Sequence, residues 1–292
     1  MKKRKNILAS KAAGFILAAV MLLSVIMILP DEVKADEYSF NGSGTSEVTI
    51  SDEACRLASK NKSFHWIRFR PKKTGSITIT AMNASTSSKK TNGYIVLCDA
   101  SKNFLDYTSD YYTTANTDTR YYNITYGVKA KTTYYFRIES SAGVRFRATV
   151  SSISKKNAGK TRKKAKTINQ NKNIKGVIIA GDKTTDWYKL RLTQRKKVEL
   201  SFTAKTNGWD GQNGEKLLDG IRFTFCDSKG RMFAENAYHN LTRGQTKSAW
   251  GYYLTREGSK KKLGLNPGTY YIKVKRLNSS SSGEYTLKWK MY

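Results

Sequence analysis

From Ser63 onward, apolar and polar residues alternate in short segments rich in β-branched and aromatic side chains, with clusters of Gly, Asn, Ser, Thr and Lys between them. Period-two segments at this spacing predict many short strands, the pattern of a β-sandwich or barrel. No window carries a long helical apolar period capped at both ends, so helix is expected to be scarce, with room for one turn between Glu53 and Ser59. The expected class is all-β.

Because successive strand residues point to opposite faces, each segment divides into an inner and an outer set. In the C-terminal half the inner set is Tyr188, Leu190, Leu192, Tyr270, Ile272, Val274, Tyr285, Leu287 and Trp289. In the N-terminal half it is Ile67, Phe69, Tyr134, Phe136, Ile138, Val144, Phe146, Ala148 and Val150. Both sets are expected to form cores. The outer sets carry the charge: Trp187, Lys189, Arg191, Arg222, Tyr271, Lys273, Lys275, Lys288 and Lys290 in one half, and Trp66, Arg68, Arg70, Tyr135, Arg137, Arg145 and Arg147 in the other. Neither set contains an acid. If the strands are neighbours in one sheet, each half presents a basic platform with an aromatic pair, suited to polyanions or acidic glycans. The plainer reading is that Lys and Arg only solubilise outward faces and discourage edge pairing.

The halves repeat one another. Trp66 with its flanks matches Trp187, Ile77–Ala81 matches Leu200–Ala204, and Cys98-Asp99 matches Cys226-Asp227. The Tyr134-Tyr135 segment then matches Tyr270-Tyr271, and Phe146 with its neighbours matches Tyr285. The offset grows from 121 at Trp66/Trp187 to 128 at Cys98/Cys226, 136 at Tyr135/Tyr271 and 139 at Phe146/Tyr285. Insertions in loops explain the drift, because strands tolerate length changes poorly. The expected organisation is a first β-sandwich over 36–153, a basic linker and lead-in over 154–173, and a second sandwich over 174–292.

Residues 1–35 are expected to be a signal peptide. Lys2, Lys3, Arg4 and Lys5 precede an apolar stretch from Ala12 to Pro30, and Val33-Lys34-Ala35 offers a small-residue cleavage site. If uncleaved, the stretch approaches a membrane span and would be the only membrane attachment. Either outcome places the remainder outside the cytoplasm, secreted or loosely held at the cell surface. Removing it takes away a net +4 and leaves +27 of the +31 formal charge. Such an excess predicts fast, salt-sensitive attraction to polyanions. Export excludes cytoplasmic nucleic acid as partner and leaves anionic cell-wall polymers such as teichoic acids, acidic polysaccharides, anionic lipid headgroups and released DNA. Three cysteines, Cys55, Cys98 and Cys226, do not make a disulfide framework, so stability rests on the two cores. Neither a lipobox before Cys55 nor a wall-sorting pattern at the C-terminus is seen, and covalent anchoring is not expected.

The order Ala165-Lys166-Thr167-Ile168-Asn169, Ile174–Val177, Asp186–Leu190, Phe225–Gly230, Leu265–Val274 and Tyr285-Thr286-Leu287 resembles the bacterial pre-peptidase C-terminal domain. The first half departs from that pattern, with His65 where Asp186 stands and Lys129–Thr132 in place of Asn266-Pro267-Gly268. The resemblance implies a jelly-roll-like sandwich that is usually appended to secreted enzymes, where it assists secretion, localisation or substrate attachment without being catalytic.

The catalytic inventory is poor. His65 and His239 fall at unrelated places in the repeat, and no nucleophile-elbow, His-Glu-x-x-His or paired-cysteine motif occurs. Cys98 and Cys226 recur at one position and read as a structural slot. Asp210–Glu215 resembles a calcium loop but misses its oxygen ligands, and Asp182 and Asp186 fit turn or strand-entry roles as well as cation ligation. No cofactor or metal is expected. Tyr111, Tyr112, Tyr121, Tyr122, Trp209, Trp250, Tyr252 and Tyr253 are read as loop aromatics, of which Trp209 or Trp250 can stack on sugar. The function expected is non-catalytic binding of anionic wall polymer or acidic polysaccharide through the basic faces. A second reading is an accessory or chaperone-like partner of a separately encoded secreted peptidase or other hydrolase.

Overall fold

The computed structural model describes residues 37–84, 91–106, 109–113, 122–154, 157–207, 220–238, 248–252 and 264–292. The expected signal peptide, the calcium-loop-like sequence Asp210–Glu215, Trp209, Tyr121, Tyr253 and His239 lie outside them. Among the described residues, eighteen strands and one helix follow in chain order: β1 Glu37–Phe40, β2 Gly44–Ile50, α1 Asp52–Lys60, β3 His65–Phe69, β4 Gly75–Asn83, β5 Thr91–Cys98, β6 Ser109–Thr113, β7 Tyr122–Val128, β8 Tyr134–Ser140 and β9 Val144–Ser152 in the first half. The second half holds β10 Lys166–Thr167, β11 Ile174–Ile178, β12 Asp186–Leu192, β13 Val198–Thr206, β14 Ile221–Asp227, β15 Met232–Tyr238, β16 Ser248–Tyr252, β17 Gly268–Arg276 and β18 Gly283–Met291.

Each half is a two-sheet sandwich. The first pairs a five-stranded sheet of order β1-β3-β8-β5-β6 with a four-stranded sheet β2-β9-β4-β7. The second repeats it strand for strand as β10-β12-β17-β14-β15 and β11-β18-β13-β16. Chain order crosses between the sheets at every step from β2 to β9 except the β5–β6 hairpin, which is a jelly roll. The added edge strands β1 and β10 run parallel to β3 and β12.

The alternation explains the cores. In β12 the inward Tyr188, Leu190 and Leu192 are buried while Trp187, Lys189 and Arg191 stay partly or fully exposed. All the inner residues named from sequence are buried, apart from Val150, which packs half-buried against the first core. Each fully buried large apolar side chain contributes about 1.5–3 kcal/mol, so two separate cores can stabilise the chain with three unpaired thiols.

Two local features differ from expectation. Helix α1 runs nine residues rather than one turn. Ser51 Oγ accepts from the Ala54 amide at 3.2 Å, acids fill the first turn, and Asp52 Oδ1 accepts from the Gly143 amide at 2.6 Å, so a cap and a tertiary tether support it. Within the stretch read as linker and lead-in, Ile168 enters the second core, Gly159 bridges to Trp187, and β10 pairs with β12. That segment packs onto the second sandwich because its Ala158, Ala165 and Ile168 supply apolar anchors among the lysines.

The sandwiches are joined through the outer surfaces of their four-stranded sheets. Ser76 Oγ on β4 donates to Glu284 Oε2 on β18 at 2.6 Å, and the Ala180 amide donates to the Gly127 carbonyl on β7 at 2.8 Å. Val177 and Ile179 form a small buried cluster with Ile153, while Ala180 belongs to the first core. A Cβ on Gly127 would clash with the Ile178 carbonyl oxygen, so only glycine allows this approach.

A buried polar chain distinguishes the second core: Tyr285 donates to Asp186 Oδ2 at 2.7 Å, and the Tyr188 and Tyr285 hydroxyls lie 2.8 Å apart. Ile67 and Phe146 take the corresponding places in the first core. Tyr285→Phe removes one buried hydrogen bond from each of Asp186 and Tyr188 and is expected to destabilise the chain by about 1–3 kcal/mol in urea denaturation, whereas Phe146→Leu tests packing alone.

The pH dependence follows from burial. Burial pushes the Cys98 thiol from its ordinary 9.0 up to about 11, and burial raises the Tyr188 and Tyr285 hydroxyls above their ordinary 10.0. Groups with raised folded values hold stability in full below their unfolded value and lose it as pH rises. Urea midpoints should therefore hold to about pH 9 and fall between pH 9 and 11, with a shallower fall for Cys98→Ala. A midpoint unchanged across that window contradicts the assignment.

Candidate functional site

The outer face of each five-stranded sheet carries the same four-residue arrangement. In the first, Trp66 stands directly opposite Arg137 and Arg68 opposite Tyr135. In the second, Trp187 stands opposite Lys273 and Lys189 opposite Tyr271. Aromatic and cation thus alternate on two adjacent strands. Cross-strand neighbours lie about 5 Å apart and same-face neighbours along a strand about 7 Å apart, so the four side chains form one patch.

The patches are built by cation–π contact. Lys102 Nζ sits 4.5 Å from the Trp66 ring centroid and 5.3 Å from that of Tyr135, and these rings meet edge to face at 6.2 Å. Lys273 Nζ lies 5.5 Å from the Trp187 ring, and the Arg162 guanidinium 5.9 Å from the Tyr271 ring. Each such contact at an exposed site is worth about 0.5–1 kcal/mol, enough to orient a lysine and too little to lock it. Lys102 is held by a turn repeated in both halves. Asp99 Oδ1 accepts from the Ser101 and Asn103 amides at 2.8 and 2.9 Å, and Asp227 Oδ1 accepts from the Lys229 and Arg231 amides, both at 2.9 Å. The turn needs a left-handed residue, Lys102 at φ 64° and Gly230 at φ 84°. Sequence reasoning missed Lys102 and Arg162 because both lie in loops, where alternation assigns no face. Beneath the turns, Cys98 and Cys226 occupy one position, opposite Tyr135 and Tyr271. Both thiols are buried and raised by burial, which fits the structural slot.

The sixteen outward residues named from sequence do not make one platform per half. Trp66, Arg68, Tyr135 and Arg137 share the first five-stranded face, with Arg70 just past β3 donating to the Lys131 carbonyl at 3.3 Å. Trp187, Lys189, Arg191, Tyr271, Lys273 and Lys275 share the second, and Arg222 is opposite Lys275. Arg145 and Arg147 on β9, and Lys288 and Lys290 on β18, belong to the four-stranded sheets instead. A jelly roll sends its last two strands to different sheets, and alternation alone does not reveal that.

Acids correct the expectation further. Arg147 Nε contacts Glu47 at 2.6 Å with Arg145 at 3.9 Å, and the Arg147 hydrogen bond holds the Glu47 carboxyl below its usual range. Arg137 pairs with Glu139 at 2.8 Å, Lys290 with Glu199 at 4.0 Å, and Lys205 with Glu284 at 3.7 Å. By contrast, among the described residues Lys189, Arg191, Lys273 and Lys275 have no carboxylate within ion-pair distance. The register does set Glu235 of β15 opposite Thr224, in the row of Lys273 and one strand beyond it.

The first face is the more aromatic. Phe104 is 53% and Tyr94 46% exposed, and Arg137 lies over the rings of Phe64 at 3.7 Å and Phe104 at 5.1 Å. Beside it, between α1 and the end of β3 and β8, a cleft of about 370 Å³ is lined by residues including Cys55, Ser59, Lys62, Phe64, His65 and Glu139. The Cys55 thiol donates to the Ala142 carbonyl at 3.2 Å and burial raises it, the opposite of what a thiolate nucleophile needs. Among the described residues no group of three or more His, Cys, Asp or Glu is placed to hold a metal. Asp182 Oδ1 accepts from the Thr184 amide at 3.0 Å, a turn role, and Asp186 is engaged by Tyr285. Trp250 and Tyr252, read as loop aromatics, belong to β16 in register with Leu200 and Val198, and Tyr111, Tyr112 and Tyr122 belong to β6 and β7. No helix among the described residues is long and apolar enough to cross a membrane.

No protein-family model matches the chain, and no curated protein matches it. Among solved structures it is similar to the pre-peptidase C-terminal domain of a collagenase from Bacillus anthracis, at 21% identity over 43% of this chain and 93% of that one, with TM-score 0.28. It is also similar to the CBM22-1–CBM22-2 tandem of Xyn10C from Paenibacillus barcinonensis, at 9% identity over 75% of this chain and 78% of that one, with TM-score 0.22. The CUB1-EGF-CUB2 segment of human MASP-1/3 is similar at 9% identity over 86% of this chain and 100% of that one, with TM-score 0.23.

Proposed function

We propose that this chain is a secreted, non-catalytic binding protein that engages an anionic cell-wall polymer or acidic polysaccharide through the outer five-stranded face of its second sandwich. The observation that carries this reading is the contrast in pairing: Lys189, Arg191, Lys273 and Lys275 cluster around Trp187 and Tyr271 with no carboxylate within ion-pair distance among the described residues. Lys290 and Arg145/Arg147, on the four-stranded sheets, already have theirs. Cations about 7 Å apart along a strand attract a polymer whose charges recur at similar spacing, and the Debye length of about 8 Å at physiological salt lets neighbouring lysines act together. Trp187 and Tyr271 add flat surfaces for a sugar ring once Lys273 and Arg162 swing onto the anions.

The test compares two triple reversals with the same change in net charge. K189E/K273E/K275E, on the proposed face, is expected to elute from a heparin column at far lower salt than the parent, and to lower the slope of log affinity against log salt by about one per contact removed. K175E/K288E/K290E, on the four-stranded sheet, is expected to shift elution much less. Equal shifts for both contradict the assignment.

A further inference from the structure

We infer that the chain bridges two strands of acidic polymer, because its two cation–aromatic faces point away from each other. The inference rests on the binding reading above. Every strand with substantial contact across the join comes from a four-stranded sheet: β7 and β4 of the first sandwich, and β11, β13 and β18 of the second. The contacts are made by outer-surface residues of those sheets. Ser76 lies next to core-facing Ile77, Glu284 next to core-facing Tyr285, and Val177 is buried although its neighbours Gly176 and Ile178 face the second core. Four sheet layers therefore stack with the five-stranded sheets outermost. With sheets packing about 10 Å apart, the Trp66/Tyr135 and Trp187/Tyr271 patches are separated by about 30 Å of packed protein. That is several Debye lengths at physiological salt, so an anion on one face is not held by the other.

The first face is cationic enough for its own strand. Arg68 and Lys102 are exposed beside Trp66 and Tyr135, while Arg137 in the same patch is paired with Glu139. The close approach at Gly127 and the Ser76–Glu284 hydrogen bond couple the sandwiches at more than one point, which disfavours folding both faces onto one strand. Two sites held rigidly and facing apart are placed to engage separate strands.

The test uses surface-immobilised heparin as the first strand and fluorescein-labelled heparin as the second. The surface is loaded with the chain, washed, and exposed to the label in low salt. The parent is expected to retain label, while R68E/K102E and K189E/K273E/K275E each still load onto the surface but capture at least ten-fold less label per bound chain. A parent that loads and captures no label overturns bridging and leaves the binding reading standing. A parent that fails to load overturns the binding reading itself. Capture undiminished in both variants also overturns bridging by these faces. Far-UV circular dichroism and thermal midpoints matching the parent establish that the variants are folded.

Discussion

A β-strand has two sides and a sandwich buries one of them, and this constraint organises the molecule. Once Tyr188, Leu190, Ile272 and Val274 turn inward, Trp187, Lys189, Tyr271 and Lys273 have nowhere to go but out. The same commitment in the first half sets Trp66, Arg68, Tyr135 and Arg137 outward in the same register. Folding thus assembles a surface pattern whose members lie far apart in sequence. The fixed turn after Cys98 adds Lys102 to it.

Net charge alone would make the whole surface sticky toward polyanions, and the distribution of acids decides where it is not. Glu47, Glu139 and Glu199 stand against cations and reduce their reach, most completely at Arg147. Exposed pairs of this kind add about 0–1 kcal/mol to stability, so their main effect is on the field seen by a ligand. The second five-stranded face is left the most positive, and the first the more aromatic. Joining the four-stranded sheets through Gly127, Val177 and Glu284 leaves the two patterned faces open.

Much of the fold was legible because period-two alternation is a direct imprint of burial. The inner residues of both halves, the repeat order and the equivalence of Cys98 with Cys226 all follow from it. The separation of Arg145, Arg147, Lys288 and Lys290 from the rest was not legible, since alternation tells inside from outside but not which sheet a strand joins. The pairing of Arg147 with Glu47 was hidden for the same reason: β2 and β9 are 100 residues apart in that contact. Helix α1 was underestimated because its support, the Asp52 contact with Gly143, is tertiary. Lys102 was missed because a left-handed turn residue carries no face of its own in sequence.

The central claim, that the outer five-stranded face of the second sandwich receives the anionic polymer, is tested most directly by lysine-reactive footprinting read by mass spectrometry with and without heparin. The account requires Lys189, Lys273 and Lys275 to be protected strongly, with Lys175, Lys288 and Lys290 labelled nearly as in the free chain. Protection spread evenly over all lysines, or centred on the four-stranded sheet, would contradict it.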